Sequence, residues 1–267
     1  MDVDPIQDIV PPRYAIESDD SDGEEMEARA TQKSPPSITV NFNGEPSHSL
    51  LILIGQAGEQ YRRGIITPSS TTGSIVVDKV KVGEIQEISP SLLVVIITHE
   101  LPALASNLLA KQLIQTLSPC SVELMDTYSL PIHVSSKPIS TPTSPLMCLK
   151  TSSFQPAPLN LIPLAPPNII RSFTASVLCI LELRSIPGLA ILLPSRFLPP
   201  RIPTEQVGPQ PPPAYALEQF ENQNLADANR AFSFGGTLGW DISVAGKASG
   251  FSRPQAQGDI GNGGMYL

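Results

Sequence analysis

Side chains that could catalyse a reaction or bind a metal are few in this sequence and lie far apart. The three histidines, His48, His99 and His133, occupy separate segments and match neither an HxxxH pattern nor the Cys/His spacing of a zinc site. No GxSxG pattern places a serine on a strand-to-helix turn. The sequence therefore predicts no catalytic residue and no metal site.

The three cysteines, Cys120, Cys148 and Cys179, are widely spaced and form no CxxC pair. Together with an acidic N-terminus that does not resemble a signal peptide, they indicate reduced thiols in a cytoplasmic or nuclear protein. Cys120 follows a predicted helix, so no helix N-terminus lowers the pKa of its thiol, and Cys179 lies inside another predicted helix. We expect both to be small core side chains rather than nucleophiles.

A glycine-rich segment, Gly55-Gln56-Ala57-Gly58, follows the apolar residues 50–54 and is compatible with a nucleotide-binding loop. A dinucleotide fingerprint, however, needs a third glycine and an amphipathic helix. The segment that follows, residues 59–64, is short and charged, and no Lys-Ser/Thr pair comes after it. An ordinary turn at the end of a strand is favoured, and no cofactor is predicted.

The last three residues, Met265, Tyr266 and Leu267, form a hydrophobic–Tyr–any (HbYX) sequence after a glycine-rich stretch. Such a tail can insert an apolar side chain into a pocket, add a stacking phenol and pair its terminal carboxylate with a lysine. A frayed, unbound terminus is the alternative.

A strand–helix–strand unit forms the predicted centre of the fold. Residues 92–98 are a continuous β-branched apolar run, which is typical of a strand buried on both faces. From residue 103 to residue 117 apolar residues recur every three or four positions, as on one face of a helix. Residues 121–125 are predicted to form a second strand. The strands at 92–98 and 121–125 should therefore be parallel and joined by a right-handed crossover.

Other segments extend this unit. Strands are predicted at residues 37–42, 50–54 and 189–193, and a twisted strand or hairpin at residues 75–88. Helices are predicted at residues 169–184, capped by Asn168, and at residues 215–232. The expected fold is α/β: a three-layer α/β/α sandwich with a mostly parallel central sheet, in which 92–98 is flanked by 122–125 and 189–193.

Composition divides the chain into a single domain with two tails. Residues 1–36 are acidic and should be disordered, residues 37–232 form the domain, and residues 233–267 form a flexible glycine-rich tail. Proline is frequent, with 29 residues, and residues 194–213 should be a proline-rich surface loop.

Charge and hydropathy limit the partners. Residues 1–33 contain 10 acidic and 3 basic side chains, whereas the rest of the chain contains 15 and 14, so the body is nearly neutral. A body without a basic patch is not expected to bind nucleic acid. No uncharged apolar stretch reaches the roughly 18 residues of a membrane span, so no membrane association is expected.

The second half of the chain resembles the proteasome assembly chaperone 1 family. The resemblance lies in LMCLKTSSF at residues 146–154 and in PLAPPNIIRSFTASVLCILELRSIPGLAILL at residues 163–193. It includes the LKT-type segment, the proline–asparagine-led helix and the isoleucine–proline turn into a buried strand. The tail Met265-Tyr266-Leu267, the acidic N-terminus and the strand-then-glycine pattern at residues 50–55 also fit the family.

The resemblance implies that the protein is not an enzyme but a chaperone for proteasome core particle assembly. It implies a heterodimer with a second assembly chaperone and binding to the proteasome α-ring. Met265, Tyr266 and Leu267 would enter a pocket between two α-subunits, where the carboxylate of Leu267 meets a lysine. Two alternatives remain open: a proteasome activator that uses the same tail, and an α/β-fold hydrolase or nucleotide-binding enzyme.

Overall fold

A mixed sheet with helices on both faces makes up the described part of the chain. The computed structural model describes residues 34–44, 49–135, 144–155, 161–198, 218–236 and 238–246. Its strands are β1 (Ile38–Phe42), β2 (Ser49–Ile54), β3 (Ser70–Val77), β4 (Val80–Ser89), β5 (Leu92–Ile97), β6 (Ser121–Ser129), β7 (Met147–Lys150), β8 (Ile162–Pro163) and β9 (Gly188–Ser195). Its helices are α1 (Gly55–Arg63), α2 (Ala103–Leu117), α3 (Ser172–Leu183), α4 (Asn222–Ala231) and α5 (Ile242–Ala245), and one 3-10 turn spans Leu130–Ile132.

The strand order is β1-β3-β4-β5-β2-β6-β9-β7-β8. The central strands β5, β2, β6 and β9 are parallel to their neighbours within this group. Outside it, β4 pairs antiparallel with β5, β3 with β4, β1 with β3 and β7 with β9. The prediction of an α/β fold is confirmed, but the parallel arrangement is limited to this centre and to the short β7–β8 pair.

The predicted unit β5–α2–β6 is present, but its two strands are not neighbours. β2 lies between them, so that Leu50 pairs with Leu93 on one side and with Val122 on the other. The expectation that residues 122–125 and 189–193 flank residues 92–98 is therefore wrong, since the neighbours of β5 are β4 and β2. A crossover can skip a strand position, and the sequence of the unit itself contains no information about which strand is inserted.

Two apolar cores form on opposite faces of the sheet. Successive side chains of a strand point to opposite faces. Leu50 and Ile52 of β2 accordingly pack in the core that contains α2 and α3, whereas Leu51 and Leu53 pack in the core that contains α1, α4 and α5. Helices thus cover both sides of the central strands. None of the described helices is long and apolar enough to cross a bilayer.

Helix α1 was not expected from the sequence. It begins directly after β2 at Gly55, whose φ of +58° is one that glycine adopts readily. Ala57, Gly58 and Tyr61 are buried while the charged side chains face outward, so the segment is amphipathic over only two turns. A single short apolar face of this kind is hard to recognise in a charged segment.

Helix α3 begins later than expected, and Asn168 does not cap it. The N-cap position is Arg171, and no side chain caps the first turn. Asn168 instead bonds to the main chain of Val134: its Oδ1 accepts from Val134 N at 2.8 Å and its Nδ2 donates to Val134 O at 2.9 Å. The asparagine therefore ties two loops together.

The packed body continues past the boundary expected at Phe232. Phe234, Leu238 and Ala245 are buried in the core that contains α1. Trp240 stacks on Tyr61 with ring centroids 5.4 Å apart, and its Nε1 donates to Tyr61 O. Helix α4 starts at Asn222, later than the residue 215 expected. Residues 1–33 of the expected acidic tail lie outside the described residues. Most of the expected proline-rich loop, from residue 199 onward, lies outside them as well.

Candidate functional site

A cavity of about 370 Å³ lies where the central parallel strands end. Ile54 ends β2 and Gly55 follows it, residues 126–129 end β6, and Leu192 and Ser195 belong to the end of β9. In open α/β sheets the carboxyl ends of parallel strands are the common place for ligands, because loops diverge there and leave a crevice. We call this feature the edge cavity.

Three acidic side chains line the edge cavity, namely Asp126, Glu100 and Glu218, and the first two have shifted pKa values. Asp126 Oδ1 accepts from Thr127 N at 2.7 Å, and its Oδ2 accepts from the hydroxyl of Thr174 on α3. Burial raises the pKa of Asp126 to about 6. Burial, and then the neighbouring charge of Asp126, raises the pKa of Glu100 to about 7. Such carboxyls can exchange protons near neutral pH and can bind a positively charged group.

The other wall of the edge cavity is built from loops that hydrogen bonds hold in place. Tyr128 donates its hydroxyl to Pro145 O at 2.9 Å, and its ring lies edge-on to His133 with centroids 5.3 Å apart. Glu218 accepts from Ser195 Oγ and from Arg196 N, both at 2.7 Å. The segments at the ends of β6 and β9 therefore meet the segment before α4 around one space.

A second polar cluster lies in the core on the α1 side. Glu123 is 2% exposed and accepts from Ser233 N at 3.1 and 3.2 Å. Tyr61 donates its hydroxyl to Asn229 Oδ1 at 2.7 Å. Burial raises the pKa of Glu123 to about 7 and also raises the pKa of Tyr61, with the charge of Glu123 adding to the latter shift. These contacts join residues 229–233 to α1 through Tyr61 and to β6 through Glu123.

The residues predicted to bind a partner, Met265, Tyr266 and Leu267, lie outside the described residues, so their placement stays a prediction. Among the cysteines, Cys148 is buried, but Cys120 and Cys179 are exposed, which overturns their expected place in the core. Within the described ranges, no group of three or more His, Cys, Asp or Glu side chains is placed to hold a metal ion.

The sequence patterns did not indicate Asp126 or Glu100 as site residues. Each follows an apolar strand run: Asp126 comes directly after VELM in β6, and Glu100 comes three residues after the end of β5. A polar residue at the carboxyl end of a buried parallel strand is a usable signal for a site. The signal is weak in this sequence because Asp126 and Glu100 are 26 residues apart and neither belongs to a motif.

No family model matches the sequence, and no curated protein matches it. Among solved structures, Pyrococcus furiosus PbaA, an archaeal homolog of proteasome-assembly chaperone, matches with a TM-score of 0.51 and 10% identity, over 78% of this chain and 90% of that chain. Pyrococcus furiosus PbaB, an archaeal proteasome activator, matches with a TM-score of 0.43 and 14% identity, over 61% and 81%. A Mycobacterium tuberculosis protein of unknown function has a TM-score of 0.48 and 11% identity, over 79% and 78%.

The likeness to PbaA shows a shared fold. It confirms the resemblance at the level of the fold alone, since PbaA is described as an archaeal homolog of proteasome-assembly chaperone. Membership of the assembly chaperone 1 family stays a prediction. At 10% identity the comparison transfers no residue role to this chain.

Proposed function

We propose that this protein is a non-catalytic chaperone for assembly of the proteasome core particle. The observation that carries the proposal is the fold shared with PbaA over 78% of the chain. The HbYX sequence Met265-Tyr266-Leu267 supports it from a different part of the chain. The protein would act in the cytoplasm or nucleus, where core particles assemble.

In this proposal the body pairs with a second assembly chaperone, and the tail binds the proteasome α-ring. Met265 fills an apolar pocket between neighbouring α-subunits, Tyr266 packs beside it, and the carboxylate of Leu267 pairs with a lysine. The last described residue, Gly246, is 19 residues before Met265. A chain of that length spans at most roughly 65 Å, so body and tail can contact separate places on one ring.

The test compares the intact chain with a variant that lacks Met265, Tyr266 and Leu267. Each is co-expressed with candidate partner chaperones and mixed with purified α-rings, and complexes are measured by size exclusion with mass detection. The deletion should leave the partner complex intact and weaken α-ring binding about tenfold or more, because a charged hydrogen bond alone contributes roughly 1.5 to 3 kcal/mol.

Equal binding of both forms to α-rings contradicts the proposed role of the tail. Failure of the intact chain to bind any partner chaperone or α-subunit contradicts the chaperone function itself. Peptide hydrolysis by mature core particles is the third measurement: stimulation by the intact chain, lost on deletion, would indicate an activator instead.

A further inference from the structure

The mouth of the edge cavity is lined by apolar side chains that the described structure leaves exposed. Large hydrophobic residues on the surface of a monomer are usually scattered, and contiguous groups indicate an interaction site. Five of them gather at this one cavity: Ile132 (52% exposed), Val134 (58%), Ile169 (68%), Phe197 (40%) and Leu198 (62%).

Hydrogen bonds between separate segments hold this rim in place. The side chain of Asn168 bonds to both N and O of Val134, which joins the residues after the 3-10 turn to the residues before α3. Ser129 Oγ at the end of β6 donates to Phe197 O at 2.7 Å, which joins the residues after β9 to the same rim. A preformed surface loses little conformational entropy when a partner binds.

The inside of the cavity is acidic. Asp126, Glu100 and Glu218 line it; Asp126 accepts from Thr127 and Thr174, and Glu218 accepts from Ser195 and Arg196. The remaining ionisable groups of the lining are Arg171, which is exposed at the start of α3, His133, whose pKa is lowered by burial, and Tyr128, whose pKa is raised by burial to about 12. Carboxylates therefore outnumber bases around an apolar mouth.

We propose that the edge cavity is a docking site for a protein segment that presents one lysine or arginine side chain between apolar residues. The basic side chain enters the cavity and meets Asp126 and Glu100, while its apolar neighbours cover Ile132, Val134 and Ile169. The observation behind this choice is charge complementarity. A purely apolar segment would bury the two carboxylates without a cation to balance their charge, and an acidic segment would add a like charge.

This docking site does not depend on the proposed function, because it uses neither the tail nor the fold comparison. The experiment is a selection of phage-displayed random heptapeptides against the intact chain. Affinities of enriched peptides are then measured by calorimetry at pH 7.5. Enrichment of sequences with a lysine or arginine flanked by apolar residues is expected, and deleting Met265, Tyr266 and Leu267 should leave their affinity unchanged.

Three charge variants test where the base binds. Asp126→Asn and Glu100→Gln should each weaken an enriched peptide about tenfold or more, since truncating one partner of a buried charge pair has a large effect. Glu182→Gln is the matched control, because that carboxylate is exposed and accepts from Ser152, away from the cavity. Glu100→Gln keeps the test usable if Asp126→Asn, which alters the bond to Thr174, lowers the melting temperature.

Two apolar variants test the rim without touching the core. Ile169→Ser should weaken peptide binding, whereas Leu183→Ser, at a residue 86% exposed at the end of α3, should not. The proposal would be overturned by enrichment of peptides without a base or by no enrichment at all. It would also be overturned if Asp126→Asn and Glu100→Gln both bound the enriched peptides as tightly as the unsubstituted chain does. Concentration-dependent self-association that Ile169→Ser abolishes would overturn it as well, since a second copy would then cover the rim.

Discussion

The side-chain amide of Gln60 and the main chain of Phe220 exchange two hydrogen bonds across 160 residues of sequence. Gln60 Nε2 donates to Phe220 O at 3.0 Å, and Phe220 N donates to Gln60 Oε1 at 2.9 Å. The next residue, Tyr61, bonds to Asn229 and stacks on Trp240. Helix α1 therefore holds the described C-terminal residues, 218–236 and 238–246, against the body.

Replacing Gln60 with alanine should lower the free energy of unfolding. The change leaves a buried N–H and a buried C=O of Phe220 without their partner, and each such group costs about 1–3 kcal/mol. Urea denaturation measures the effect. Gln115→Ala, at an exposed position of α2, is the control and should change stability by less than about 0.5 kcal/mol. Equal effects of the two substitutions would contradict this role of Gln60.

Tyr61→Phe should cost about 1 kcal/mol, because only the hydrogen bond to Asn229 is lost while the ring stays stacked on Trp240. Tyr61→Ala should cost about 3–5 kcal/mol, since a large buried side chain is removed. Trp240 is the single tryptophan, so its fluorescence reports directly on this contact.

Tyr128→Phe is the matched control for these two variants. Its hydroxyl donates to Pro145 beside the edge cavity, on the other core. It should leave the emission of Trp240 unchanged, whereas Tyr61→Ala should shift it. An unchanged spectrum for Tyr61→Ala would mean that Trp240 does not pack on this residue.

The buried carboxyl of Glu123 should make stability depend on pH. Burial raises its pKa in the folded protein from 4.5 to about 7, so the folded state binds the proton more tightly than the unfolded state. The free energy of unfolding therefore falls as pH rises from about 4.5 to about 7. Glu123→Gln should reduce this fall, because an amide binds no proton in this pH range, while its oxygen can still accept from Ser233 N.

The measurement is urea denaturation of both proteins at several pH values from 5 to 8. Asp126 and Glu100 have raised pKa values as well, so the wild-type fall includes their contributions. The difference between the two proteins isolates Glu123. Parallel curves across this range would show that Glu123 does not titrate there.

Gly58→Ala should destabilise the protein although alanine favours a helix. An added Cβ would lie 2.6 Å from the carbonyl carbon of Leu53 and 2.8 Å from its Cβ, so α1 would have to move away from the end of β2. Overpacking of this kind costs roughly 1–3 kcal/mol. At Gly236 an added Cβ meets none of the described atoms within 4 Å, so thermal unfolding of Gly236→Ala is the control. A gain in melting temperature for Gly58→Ala would contradict the close approach.

Adding one alanine after Leu267 should weaken α-ring binding about as much as deleting the tail. Under the proposed function, the addition keeps Tyr266 but moves the terminal carboxylate away from the place where a lysine of the α-ring would pair with it. An internal substitution, Gly264→Ala, is the control and leaves the terminus where it was. Unchanged binding of the extended chain to purified α-rings would show that the carboxylate does not contribute.

Some features of the fold follow from the sequence alone. The continuous apolar run that became β5 is buried along its whole length, and the three- and four-residue spacing of α2 places Leu109 and Leu113 in the core. Burial patterns of this kind are local, because the period of apolar residues reports which side of an element faces inward. The hairpin of β3 and β4 and the strand β9 were predictable for the same reason.

Other features were decided only by tertiary structure. Three of them depend on residues far apart in the sequence: the position of β2 between β5 and β6, the bonds from Gln60 to Phe220, and the rim that joins Val134 to Asn168. The local pattern of β2 would suit any buried position in the sheet. The acids Asp126 and Glu100 become a site for the same reason: the parallel strands bring their carboxyl ends to one edge only once the strand order is set.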